Sequence, residues 1–349
     1  MLDLDQTKPR PLHGKGTTTE AVASPPADVA PRTRAASNGT GRLDTAARAA
    51  WLYYVGRRTQ EEIAERLGLS RQAVQRLVSR AVEEGLVRVR IDHPIAECLE
   101  LGEALARSYG LERATVVPSD PDGAAGLGLG GEGAAEIERW LARREPLVIG
   151  MGTGRTLKAA VDHLSPMDCA HHRIVSMTGS IAPDGSAAFY NVIFSMAERV
   201  SAPHFPLPVP VFASHAKERE TLHAQNAIRL PLALAAQADV VFLGLADTSD
   251  DAPFVLDGFL TSARARELRD RGAVGEICGW VFDADGILLP PPSNQRVTSP
   301  PLPDPSRTSV IGMAAGERKR VAIRAALRGR MFSVLMTDEA TARWLVANR

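Results

Sequence analysis

The chain of 349 residues has little cysteine, few aromatics and no surplus of charge. Its three cysteines, Cys98, Cys169 and Cys278, are odd in number and far apart, and no Cys-x-x-Cys pair occurs. This excludes a disulfide framework and a cysteine-built zinc site, and it makes a reducing cytoplasm the expected setting. No apolar run approaches the roughly 18 residues of a membrane-spanning helix. The first residues carry no apolar signal core, so no membrane partner is expected. His171 and His172 are adjacent and are therefore expected to point apart, a poor metal pair, and the other histidines are scattered. No defensible Ser-His-Asp order and no carboxylate pair at hydrolytic spacing is present. No metal, no cofactor and no catalytic residue is therefore expected.

What is present is an ordinary globular composition, 44% hydrophobic and 23% charged, with 41 basic residues against 41 acidic ones. The length allows two or more domains. Residues 1–40 mix Pro, Thr, Ser, Gly and scattered charge with almost no large apolar side chains. Such a segment buries too little surface to fold, and a disordered tail is expected.

The most informative stretch runs from Thr59 to Gly85. Thr59 followed by Glu62 is a capping box that starts a helix. Ile63, Ala64 and Leu67 share one face, Gly68 ends the helix, and Leu69 anchors the turn. Ser70 caps a second helix whose buried face is Val74, Leu77, Val78, Ala81 and Val82. The opposite face carries Arg71, Gln72, Gln75, Arg76 and Ser79, with Arg80 beside them. Arg can grip guanine O6 and N7, and Gln can pair with adenine N6 and N7. Leu86 to Ile91 alternates apolar and basic and reads as a wing strand, with Arg88 and Arg90 facing phosphate. Ala46, Ala47, Ala50, Trp51, Tyr54 and Val55 give the stripe of a preceding helix. Between Gly41 and Ile91 there are ten arginines and six acids, a local net +4 on a neutral chain. This predicts an all-α winged helix-turn-helix over 41–92, with double-stranded DNA as partner. The plain alternative is a helical hairpin with solvated Arg and Gln.

Ile95 to Tyr109 reads as a helix, so 93–112 is expected to link the first module to a domain over 113–349, and to help it dimerise. Asp120 to Gly133 reads as a flexible Gly-rich connector. Apolar strands at 114–118, 146–150, 173–177, 209–212, 238–244 and 332–336 alternate with helices at 134–143, 156–164 and from 338. This predicts an α/β domain with a mostly parallel sheet. Residues 290–305 hold seven prolines and read as an irregular loop.

Ligands of such sheets sit past the carboxyl ends of the strands. Three loops fall there. Gly152, Thr153, Gly154 and Thr156 offer close backbone approach, hydroxyls and a helix N-terminus, all favourable to an anion. Thr178, Gly179 and Ser180 form a second small, hydroxylated loop. Asp247 stands in a third, where it could contact sugar hydroxyls or merely cap a helix. Plain turns explain the first two equally well. Glu276 lies among Gly and apolar residues, as a partly buried acid would. Lys319 opens a helix, where a cation opposes the dipole unless an anion relieves it.

Four segments together resemble one family: Gly150–Thr156, Gly275–Asp283, Gly312–Lys319 and Val334–Thr341. With the helix-turn-helix they are similar to the SorC family of bacterial sugar-binding transcriptional regulators, including its DeoR-type members with this effector domain. The resemblance covers 43–349. It implies a sugar-phosphate isomerase-like sheet domain used for sensing, and control of sugar-catabolic operons. It also implies a phosphorylated sugar or polyol effector, and a homo-oligomer, dimer or tetramer. On matching positions, Gly152, Thr153, Gly154 and Thr156 would hold phosphate or sugar oxygens, with Thr178, Gly179 and Ser180 lining the same cleft. Asp247 and Glu276 would meet sugar hydroxyls, and Lys319 would pair the phosphate. Met177-Thr178-Gly179-Ser180 departs from the Gly-Gly of many members, and the acidic run from Asp247 to Asp251 leaves a non-phosphorylated ligand open. The expected function is a carbohydrate-controlled regulator, most simply a repressor. A sugar-phosphate isomerase or deaminase with an added helical domain is the alternative.

Overall fold

The computed structural model describes residues 37–87, 95–119, 126, 128–182, 185–186, 192–256 and 258–349. The chain divides into two compact units, Met1–Val89 and Arg90–Arg349. The expected wing strand with Arg88 and Arg90 lies outside the described residues, as does the tail up to residue 36.

The first unit is built from α1 (Ser37–Tyr54), α2 (Gln60–Leu67) and α3 (Arg71–Glu83). Helix α1 thus begins inside the segment expected to be disordered. The Thr59 hydroxyl accepts the Glu62 N–H at 3.3 Å, and the Glu62 carboxylate accepts the Thr59 N–H at 2.8 Å. Gly68 closes α2 in the left-handed region, at φ 66°. Ser70 Oγ accepts the Ala73 N–H at 3.2 Å and starts α3. Ala49, Leu52, Ile63, Ala64, Val74 and Val78 form the core, and Ala46, Ala50 and Ala81 pack beside it.

The structure differs from the sequence expectation at two places in this unit. Ala47, Trp51, Tyr54 and Val55 are exposed, Trp51 by 59%, and Ala49 and Leu52 are buried instead. Two stripes adjoin on α1, and the alanine stripe wins because small side chains let α1 and α3 approach closely. Val82 is also exposed, because it lies past the edge of the face that α1 covers.

The second unit opens with α4 (Ala96–Tyr109), β1 (Arg113–Val117), α5 (Leu129–Leu141), β2 (Val148–Met151) and α6 (Arg155–Asp162). It continues through β3 (Met167–Asp168), β4 (Arg173–Ile181), α7 (Val192–Ala197), β5 (Val200–Ser201) and β6 (His204–Pro210). Then come α8 (Ala216–His223), α9 (Asn226–Ala235), β7 (Val240–Gly244), β8 (Ala246–Asp247), α10 (Pro253–Leu256) and α11 (Ser262–Asp270). The chain closes with β9 (Gly275–Ile277), β10 (Trp280–Phe282), β11 (Ser309–Met313), α12 (Arg320–Arg328), β12 (Val334–Asp338) and α13 (Glu339–Ala347).

The main sheet has seven strands in the order β1-β12-β11-β7-β2-β4-β6, and every pairing is parallel. Its strands bury both faces. In β7, Val240 and Phe242 join one core while Val241 and Leu243 join the other. In β12, Val334 and Met336 face one way and Leu335 the other, as the two-residue period of a strand requires. Helix α4 packs on β1 and α13 and so belongs to this unit.

Strand β11 sits between β7 and β12, yet it follows the proline-rich segment and was not expected. Strand β6 starts at His204, earlier than expected, and carries Pro206, Pro208 and Pro210. An edge position lets it do so, since the missing N–H groups leave no partner unmet. The Gly-rich stretch is no plain connector: α5 begins at Leu129, and a Cβ on Gly133 would lie 3.0 Å from that of Ala160. These glycines let α5 and α6 touch. The proline-rich segment is irregular, as expected, but it is a buried strap. Val297 and Thr298 are fully buried, and Asn294 bonds both the N–H and C=O of Val281.

Candidate functional site

Because the sheet is parallel, the carboxyl ends of β2, β4 and β7 lie on one edge, and Thr178, Gly179 and Ser180, expected as a loop, are the last part of strand β4. A small antiparallel sheet, β10-β9-β8, brings Glu276 to that edge. The 3₁₀ turn Glu317–Lys319 after β11 brings Lys319. Together these elements line a cleft at the carboxyl edge of the sheet, where parallel sheets hold ligands.

Thr153, Gly154, Arg155 and Thr156 supply one wall, where α6 starts. Gly154 has φ 118°, which an L side chain rarely adopts, and this bend aims the N-terminus of α6 into the space. Thr178 and Gly179 come from β4. The Thr178 hydroxyl is buried and has no hydrogen-bond partner, although buried hydroxyls are normally satisfied. Glu276 is buried and accepts the Gly279 N–H at 2.9 Å. Burial pushes its carboxyl up to about 7; the Gly279 N–H and Lys319 pull it down, and Asp247 pushes it further up. Lys319 is half-buried, and its ammonium is held below its usual range by desolvation and then by Arg155, against Glu276 and Asp247. Cys278, at φ 50°, closes the floor, and burial raises its thiol.

Of the residues expected here, Thr153, Gly154, Thr156, Thr178, Gly179, Glu276 and Lys319 line the cleft. Three do not. Gly152 lies beneath the surface, its N–H given to Phe242 C=O at 2.8 Å. The Ser180 hydroxyl donates to Leu207 C=O at 3.0 Å. Asp247 accepts the N–H of Ser249 at 2.8 Å and stands 3.9 Å from Arg318, so it braces a turn beside the cleft. Sequence reasoning missed Arg155 as a second cation, and it missed an apolar wall of Val211, Leu245, Phe254 and Phe259. Phe254 stacks on Phe259 with centroids 5.2 Å apart and meets Phe212 edge-on. Nothing in their spacing announces this, because the segments are far apart in the chain.

Chemically, the cleft offers two cations and a helix N-terminus for an anion, and hydroxyls and a carboxyl for ligand hydroxyls. Among the described residues no cluster of His, Cys, Asp and Glu fits a metal, and no helix is long and apolar enough to cross a membrane.

In the first unit, α3 exposes Gln72, Gln75, Arg76, Ser79 and Arg80, which border a shared groove. Arg71 pairs with Glu61 at 2.9 Å, and Arg80 with Glu84 at 3.4 Å. Ser70 is committed to its capping bond.

The model of the family described as "Putative sugar-binding domain" matches residues 93–347, and a model of the MarR family matches 49–94. The chain is 34% identical over 303 residues to the erythritol catabolism regulatory protein EryD of Brucella abortus, covering 86% of this chain and 96% of that one. It is 32% identical over 310 residues to the transcriptional regulator LsrR of Klebsiella pneumoniae, covering 86% and 92%. The full-length sorbitol operon regulator SorC of Klebsiella pneumoniae superposes with a TM-score of 0.63 at 25% identity, over 88% of this chain and 99% of that one. These relatives are regulators and not enzymes, which sets the isomerase alternative aside. With the sugar-binding model matched over residues 93–347 and relatives at 34% and 32% identity over 86% of its length, the chain belongs to the SorC family of sugar-binding transcriptional regulators.

Proposed function

We propose that the chain is a cytoplasmic repressor of a sugar or polyol catabolic operon, released from its operator by a carbohydrate that carries a phosphate. The observation that carries this reading is the meeting of Arg155, Lys319 and the α6 N-terminus in one cleft with the unpartnered Thr178 hydroxyl. Two cations beside a helix N-terminus suit a dianion. Thr153, Thr156, Thr178 and Glu276 then meet hydroxyls. Asp247 acts from behind, through its charge on Glu276 and Lys319.

In this reading Gln72, Gln75, Arg76 and Ser79 read the major groove, while Arg71, Arg80 and Arg88 hold backbone phosphates. A homo-oligomer, dimer or tetramer, presents paired helices to a two-fold operator. The effector shifts the oligomer between two arrangements of its DNA heads, by no more than its differential affinity for them. Titrating promoter DNA with full-length protein, against a panel of sugar phosphates and free polyols, tests the reading. A phosphorylated sugar that lowers DNA affinity is the expected result. Release by a free polyol alone contradicts the phosphate, and DNA binding untouched by every compound contradicts the cleft.

A further inference from the structure

The cleft has two unlike walls. One is polar: Thr178, Glu276 and Lys319 with the α6 loop. The other is hydrocarbon: Val211, Leu245, Phe254 and Phe259. The phenylalanines are braced: Phe254 is largely buried, stacked on Phe259 and met edge-on by Phe212, and both Phe254 and Phe259 border the cleft. A wall held in this way keeps its shape without a ligand.

A ligand that satisfies both walls must be two-faced. An open-chain polyol alternates C–H and O–H along a flexible backbone, so any face laid on the phenylalanines also buries hydroxyls with no acceptor there, which is costly. It also loses the freedom of each rotor on binding. A closed sugar ring collects C–H groups on one face, sends hydroxyls outward from its edge, and has few rotors to lose. Building on the reading of the cleft as a carbohydrate-phosphate site, we infer that the effector binds in its closed-ring form, with a C–H face on Phe254 and Phe259 and its hydroxylated edge toward Thr178 and Glu276. The aromatic wall is then the specificity element, and the cations supply affinity common to both forms.

The test is isothermal titration of full-length protein with matched pairs that share phosphate and carbon number: ribose 5-phosphate with ribitol 5-phosphate, and glucose 6-phosphate with glucitol 6-phosphate. In a pair that binds, the ring form is expected to be at least about tenfold tighter, roughly the effect of one well-placed hydrocarbon contact. Phe259→Ala should cost the ring form about tenfold and leave the open-chain form within about twofold, and Phe259→Tyr should keep the preference. Phe259 is only half-buried, and a matching thermal melt of the variant shows that the fold is kept. Equal affinity of ring and open-chain forms overturns the inference while leaving the site reading intact, as does an equal loss of both in Phe259→Ala. If no phosphorylated form of either kind binds, the site reading falls and takes the inference with it.

Discussion

Lys319 and Arg155 face one cleft from two different strand-to-helix connections, so two like charges meet there. Burial and the Arg155 charge together hold the Lys319 ammonium below its usual range. A bound dianion would relieve this, which is why the proposed effector carries a phosphate. Lys319→Ala is therefore expected to raise the effector concentration for half-release from DNA by roughly tenfold to a hundredfold, as expected for losing a charge-assisted bond. Its DNA affinity without effector should stay at the wild-type value. Anisotropy titrations with labelled operator measure both.

Glu276 gives a pH prediction. Its folded carboxyl keeps a proton up to about 7, against an ordinary value of 4.5 for a glutamate. Between these values the folded chain binds more protons than the unfolded one. Stability from this group is then full below the lower value, falls as pH rises through the window, and is flat above it. The whole effect is on the order of 3 kcal/mol at most. Glu276→Gln removes it, so the variant should gain on the wild type between pH 5 and pH 8 in urea unfolding. Parallel pH profiles would refute the buried acid.

Gly244 touches the β2–α6 loop from β7. A Cβ there would lie 2.6 Å from the Thr153 carbonyl oxygen, which is backbone and cannot swing aside. Gly244→Ala is expected to cost about 1–3 kcal/mol of stability through overpacking. It should also weaken effector binding by moving Thr153. A thermal melt and a ligand titration together check this.

On α3, Arg76 and Gln72 are exposed, whereas Arg71 and Arg80 are engaged with Glu61 and Glu84. Arg76→Ala and Gln72→Ala should each weaken specific operator binding about tenfold to a hundredfold and relax the preference for particular bases. Arg71→Ala should act less, and equally on all sequences. Competition against scrambled DNA separates these outcomes.

The parts legible in the sequence were those where local chemistry dictates local structure. Thr59 and Glu62 announced a capping box, Gly68 a left-handed stop and Ser70 a cap, and all three formed as read. Apolar runs such as Val240–Leu243 announced buried strands. Lys319 and Glu276 stood out because each is badly placed without a partner. What was missed depends on distant neighbours. Strand β11 owes its place to β7 and β12 on either side. Trp51 looked like core and is exposed, because α3 chose the alanine stripe of α1. Ser180 and Thr178 look alike in sequence, yet one hydroxyl found Leu207 and the other found none. The apolar wall joins Val211, Leu245, Phe254 and Phe259, whose segments the fold alone brings together.

In the proposed function the cleft and α3 are energetically coupled. The direct measurement is the affinity of the full-length protein for its effector, with and without saturating operator DNA. By linkage, DNA should weaken effector binding by the same factor as the effector weakens DNA binding, several-fold to about a hundredfold. Effector affinity identical in the presence and absence of operator would contradict the coupling.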